Sequence, residues 1–361
     1  MAVRHLLRLG VAAALLLAAC GGDKGDSGAN DVQHDWTALT ATLDSHLGSG
    51  DNQVQGYSFA LKLHGKTVYT RAAGTVTGST LPMTMDLAIP IASASKAPSA
   101  TVILSLVNDG LIDLDAPVSQ YIGNAIDWPD DKAAITMRML LNHTSGIPFD
   151  SPCLSDDSTT LKDCAQEIAG STLNFSPGTI FGYSGAGYQV AGYIATVVSG
   201  KSWSTLVDER LTGPLAMSSF TYGNTANPRI AGGAWSTAED YLKFAQLYLD
   251  GGKTGDSRII SASQVNAAKI DQITGKPIYY TPEPAGSGLN GYSFGWWISD
   301  AAIHPGTAGP EISDPGLFGT TPWIDFDKDY TAIVLISGTP DAGLAMFNAA
   351  RADILAQIDV E

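Results

Sequence analysis

The chain has 361 residues, 16% charged and 44% apolar, with 39 Gly and 18 Pro, a globular balance that excludes collagen, a coiled coil and a disordered acidic tail. A formal charge of −16 repels phosphate backbones and argues against nucleic acid as a partner. Few histidines, no H-E-x-x-H and no Cys/His cluster argue against a catalytic metal, and no cofactor is expected.

Residues 1–19 have the form of a secretion signal: Arg4 and Arg8 precede an apolar run from Leu9 to Ala19, too short for the ~20 residues of a spanning helix. The run ends Leu17-Ala18-Ala19-Cys20-Gly21, which resembles the lipobox of bacterial lipoproteins. That resemblance implies lipid on Cys20 and a place in the bacterial cell envelope, anchored to a membrane and facing the periplasm or exterior. The alternative is an ordinary signal peptide with a chance cysteine. Residues 20–34 are Gly-rich and polar after the cysteine, and predict a flexible tether. Cys153 and Cys164 then remain, an even number for an oxidising compartment. They flank the polar segment Leu154–Ser158, so a disulfide is expected rather than two buried thiols, contributing at most ~3 kcal/mol by loop entropy.

In chain order, Gly56–Leu63 and Thr67–Ala72 predict a β-hairpin about His64-Gly65-Lys66. Residues 97–109 are apolar on nearly every side, the mark of a buried helix. From about 110 to 230, short helical patterns and Pro/Gly loops dominate. Ala238–Leu249 predicts an amphipathic helix. Strands return at Tyr292–Ile298, Thr321–Phe326 and Tyr330–Ser337, and a last helix is predicted from about Leu344 to Ile358. The pattern is α/β (α+β). One sheet domain draws on residues 35–90 and 230–361, and a mostly helical domain over 91–229 carries the nucleophile.

The chemistry points to Ser93-Ala94-Ser95-Lys96, an S-x-x-K motif at the start of the buried helix. Residues three apart on a helix share a face, and a serine hydroxyl needs such a neighbouring base before it is a nucleophile. The motif alone is weak. Around it stand Asp109-Gly110-Leu111-Ile112-Asp113-Leu114-Asp115-Ala116-Pro117-Val118, Leu140-Leu141-Asn142-His143-Thr144-Ser145-Gly146-Ile147-Pro148, Tyr183-Ser184-Gly185, Pro214-Leu215-Ala216-Met217 and Gly232-Gly233-Ala234-Trp235-Ser236-Thr237-Ala238. In that order the chain resembles the penicillin-binding-protein-like serine hydrolases of the class C β-lactamase superfamily, over roughly residues 36–340. Class C β-lactamases, D-alanyl-D-alanine carboxypeptidases, family VIII carboxylesterases and 6-aminohexanoate-dimer hydrolases belong to it. The resemblance implies a β-lactamase/transpeptidase-like fold, an antiparallel sheet flanked by helices. It puts the nucleophile on Ser93, the motif lysine on Lys96 and a second proton carrier on Tyr183. A Tyr183 phenolate at neutral pH would need about 4 kcal/mol of stabilisation against a reference pKa near 10, from an adjacent Lys96 ammonium. Alternatively Lys96 is itself neutral and takes the proton.

Two departures stand out. Gly185 replaces the asparagine of the Y-x-N element, and the third motif, Lys-Thr-Gly or His-x-Gly on a sheet-edge strand, is absent from its expected place at Glu311-Ile312-Ser313-Asp314-Pro315-Gly316. Lys253-Thr254-Gly255 has turn composition and reads as a decoy. The resemblance implies oxyanion donors from the backbone of Ser93 and of the segment around Asp314. Without the third-motif cation, and with Glu311 and Asp314 near the site, a substrate carboxylate would be repelled. The expected activity is therefore cleavage of a small-molecule ester or amide through a Ser93 acyl-enzyme, carboxylesterase-like. β-Lactamase or D-alanyl-D-alanine carboxypeptidase activity is the alternative. Two other readings exist. Gly182-Tyr183-Ser184-Gly185-Ala186 nearly matches the G-x-S-x-G elbow of α/β-hydrolases, with His304 as a base. A catalytically weak, envelope-tethered binding protein on the same fold is the other.

Overall fold

Seven strands form one antiparallel sheet in the computed structural model, which describes residues 34–283, 287–299 and 310–358. Residues 1–33, to which the expected signal, the expected lipidated Cys20 and the expected tether belong, and His304 lie outside the described residues. After helix α1 (Thr37–Ser45) come β1 (Gly56–Leu63) and β2 (Lys66–Gly74), then the buried helix α2 (Lys96–Asn108). Helix α3 (Gly185–Ser199) and helix α4 (Ala238–Leu249) follow. The sheet resumes with β3 (Leu289–Ser293), β4 (Trp296–Ser299), β5 (Glu311–Ser313), β6 (Thr321–Asp325) and β7 (Tyr330–Ile336), and helix α5 (Pro340–Ile358) ends the fold. The order across the sheet is β2-β1-β7-β6-β5-β4-β3, so the first and last strands in sequence pair side by side within it.

Period-two alternation explains the two layers. On β7, Ile333 and Leu335 enter a core shared with Val102 of α2, Tyr188 of α3 and Phe244 of α4. Tyr330, Ala332, Val334 and Ile336 face a second core with Leu39 and Leu43 of α1 and Phe347 of α5. Both faces are covered, which is why the strand reads as a continuous apolar run. The β1–β2 hairpin turns through His64 (φ +50°) and Gly65 (φ +74°), the left-handed pair that matches the twist of the flanking strands.

Two predicted boundaries shift. Tyr292–Ile298 is two strands, not one, because Gly295 at φ +84° reverses the chain between β3 and β4. The last helix starts at Pro340, where a missing N–H costs nothing in the first turn. Helix α1 and strand β5 escaped the sequence reading; β5, at three residues, is too short to show alternation. Among the described residues no helix is long and apolar enough to cross a membrane. Cys153, in the turn Pro152–Ser155, is disulfide-bonded to Cys164, in the helix Leu161–Ala169.

Candidate active site

Ser93 lies not on α2 but one turn before it, in a 3-10 turn spanning Ala92–Ser95. Ala92 enters that turn at φ +47°, a conformation that costs a non-glycine residue energy and survives only where the surroundings impose it. They do so here. The Ile91 N–H donates to the Ala234 carbonyl at 3.0 Å. Ser95 Oγ donates to the Ala92 carbonyl at 2.6 Å and accepts the Ala234 N–H at 3.0 Å, and Tyr241 Oη donates to the Ala94 carbonyl at 3.0 Å. The Gly232–Ala238 segment thus clamps the turn. The β3–β4 reversal closes on the start of α2, where a Cβ on Gly295 would lie 2.6 Å from Ala97 Cα.

Lys96 opens α2 almost wholly buried, at 2% exposure. Its Nζ donates to Ser93 Oγ at 3.1 Å and to the Ala231 carbonyl at 2.8 Å, and stands 4.5 Å from the centre of the Tyr183 ring. Burial pushes the ammonium down to about 7; Asp314 opposes that shift and Arg229 adds to it. Tyr183 follows the short strand Phe181–Gly182, and its N–H donates to the Tyr280 carbonyl at 3.0 Å. Its ring stacks on Trp297 at 5.7 Å and tilts against His143 at 4.4 Å. Burial holds its phenol well above the ordinary value, the Asp314 charge raises it further, and the hydrogen bond with the Ser93 side chain only partly opposes them. The phenolate considered from sequence is therefore disfavoured. The geometry brings together a hydroxyl, an amine poised near neutrality and a neutral phenol.

His143 is committed elsewhere. Its Nδ1 accepts the Ser184 N–H at 3.1 Å and its Nε2 meets Tyr292 Oη at 3.0 Å. Burial keeps the ring neutral, its pKa well below the usual value, and it serves as the platform under Tyr183. Ser184 caps α3, accepting the Gly187 N–H at 2.9 Å and donating to the Pro148 carbonyl at 2.8 Å, so it is no exposed elbow nucleophile. Lys253–Thr254 pairs with Ser257–Arg258 as a two-residue hairpin rather than forming a bare turn, outside the main sheet.

The two acids expected beside the substrate are both elsewhere. Glu311 is fully buried and ion-paired to Arg351 at 2.6 Å, tying β5 to α5. Asp314 turns its carboxylate inward: Oδ2 accepts the Ala97 N–H at 2.9 Å. Burial raises its pKa well above the usual range, against that hydrogen bond and the Lys96 charge. Neither residue lines the cavity. That cavity, about 230 Å³, is lined by Ser93, Tyr183, Tyr280, Glu283, the Pro315–Leu317 loop and Leu344, among others. Among its described lining residues there is no Lys, Arg or His. The Gly316 backbone lies against the start of the Ala92–Ser95 turn, since a Cβ there would meet the Ile91 carbonyl oxygen at 2.2 Å. Glu283 and Leu317 were not found from sequence, because a loop carboxylate and a loop leucine carry no spacing signal.

A Beta-lactamase family model matches residues 32–357. The chain belongs to that family. It is 26% identical over 299 residues to Penicillin-binding protein 4 of Amycolatopsis lactamdurans, covering 73% of this chain and 77% of that protein. A family VIII carboxylesterase superposes with a TM-score of 0.73 at 20% identity, covering 88% of this chain and 97% of the other. EstCE1, a hydrolase with promiscuous acyltransferase activity, also gives 0.73, at 17% identity over 88% and 97% of the two chains. At those identities the likeness to the solved structures is one of fold. This is the β-lactamase/transpeptidase-like architecture that the motifs implied, and the chain is a Beta-lactamase-family serine hydrolase.

Proposed function

We propose that the protein cleaves an ester or amide without a carboxylate beside the scissile bond, through an acyl-enzyme on Ser93. The observation that supports this reading is the cavity wall: Pro315 and Gly316, from the segment where the resemblance expects the third motif, line it, and the described lining offers no cation to hold a carboxylate. The volume of about 230 Å³ suits a short acyl group. Tyr280, Leu317 and Phe318, all partly exposed, give its neighbourhood an apolar character.

In this mechanism neutral Lys96 takes the Ser93 proton across the 3.1 Å contact as Oγ attacks the carbonyl carbon. The oxyanion is met by backbone N–H groups. Ser93 supplies one. From the facing loop, Pro315 has no N–H and the Gly316 N–H donates to the Thr320 carbonyl at 2.7 Å, which leaves Leu317. The proton passes from Lys96 through the Tyr183 hydroxyl to the leaving oxygen or nitrogen. Water then attacks the ester from the vacated side, delivering its proton back along the same path. A β-lactam leaving nitrogen stays tethered by its second ring and blocks that water, so penicillins and cephalosporins should form slow adducts. Intact-mass analysis after exposure to a p-nitrophenyl ester and to a cephalosporin tests this. A transient acyl mass on Ser93 from the ester and a long-lived one from the cephalosporin support it; no adduct from either would favour a binding protein that kept only the fold.

A further inference from the structure

Glu283 contributes the one acidic side chain among the described lining of the cavity. Its Oε2 is buried with no hydrogen-bond partner among the described residues. Burial raises its pKa to about 7, and among the described residues no cation opposes the shift. An ionised group left this way is costly unless something completes it. Its charge is felt at the reaction centre, raising the pKa of both Tyr183 and Asp314. The rings of Tyr183 and Tyr280 line the same cavity, and Phe149 lies 4.9 Å from Tyr280, centre to centre. Aromatic faces beside a carboxylate form a surface complementary to a cationic nitrogen.

We propose that Glu283 is a specificity-determining residue that pairs with a cationic nitrogen on the substrate, so that the favoured substrates are esters or amides bearing an ammonium group. This rests on the Ser93 hydrolase reading and sharpens it. Where the family's third-motif cation would select an anion, the described lining here carries a carboxylate.

The test compares isosteric pairs in wild type, Glu283→Gln and Glu283→Lys. Alanine methyl ester against methyl isobutyrate places the cation on the acyl side. Butyrylcholine against 3,3-dimethylbutyl butyrate places it on the leaving group. Dividing the kcat/KM ratio of each pair in wild type by that in the variant removes intrinsic reactivity. The expected result is a tenfold or larger fall of the cationic preference in Glu283→Gln for at least one pair, and a further fall in Glu283→Lys. Ratios unchanged by both substitutions would overturn the proposal. Hydrolysis of p-nitrophenyl acetate, which carries no cation, reports the hydrolase reading by itself: if it is Ser93-dependent while the ratios do not move, only the role of Glu283 fails.

Discussion

Asp314 Oδ2 accepts the Ala97 N–H at 2.9 Å, so this residue of the segment where the resemblance implies a substrate-facing cation is turned into the protein and holds the first turn of α2. A carboxylate there satisfies a helix N–H that has no intrahelical partner. It also faces the Lys96 ammonium, whose charge it favours. Asp314 is thus part of the support beneath the turn that carries Ser93.

Asp314→Ala should therefore destabilise the fold by about 1–3 kcal/mol, the cost of leaving a buried donor unsatisfied, read from urea unfolding. Asp314→Asn keeps an acceptor but removes the charge. It should lose less stability and shift Lys96 titration downward, because the opposing influence on its burial is gone.

The pH dependence follows from Lys96. If its neutral amine is the base, kcat/KM for a neutral ester rises with pH through about 7 as the ammonium loses its proton. Asp314→Asn moves that limb to lower pH. Glu283 titrates in the same range, so the limb must persist in Glu283→Gln; its disappearance there would reassign it. Lys96→Met should lower kcat/KM by about 10²–10⁴-fold, the usual worth of a positioned general base.

Ser184→Ala separates the two nucleophile assignments. Ser184 caps α3 through the Gly187 N–H, so its loss should cost about 1 kcal/mol of stability and leave acylation of Ser93 in place. Loss of all activity in Ser184→Ala, with Ser93→Ala still active, would favour the α/β-hydrolase reading.

Motif order made the site legible where chemistry is local. Ser93, Lys96 and Tyr183 are near one another in the fold as their spacing and sequence context implied, and the Ala238–Leu249 helix has the boundaries its periodicity predicts. Legibility failed where direction or depth decides. Whether Asp314 and Glu311 face substrate depends on which way short β5 and its loop point, and sequence gave them to the cavity while Ala97 and Arg351 hold them. The state of Tyr183 depends on burial, which outweighs any benefit from the adjacent lysine. Glu283 sits on a loop without periodicity, and only the folded chain brings it to Ser93's cavity.

Anchoring is a separate proposal resting on Leu17–Cys20. More than one acyl chain makes membrane attachment stable, at ~0.8 kcal/mol per buried CH₂. Cys20→Ser should release the protein from the membrane fraction. A wild-type protein found wholly soluble, with a mature N-terminus other than Cys20, would end this reading.

The most direct test of the central claim is steady-state kcat/KM for p-nitrophenyl acetate and for nitrocefin, measured on wild type and Ser93→Ala in the same preparation. The account predicts faster turnover of the ester, lost in Ser93→Ala while the fold is retained. A tenfold preference for nitrocefin, equivalent to ~1.4 kcal/mol at the transition state, or ester hydrolysis undiminished in Ser93→Ala, would contradict it.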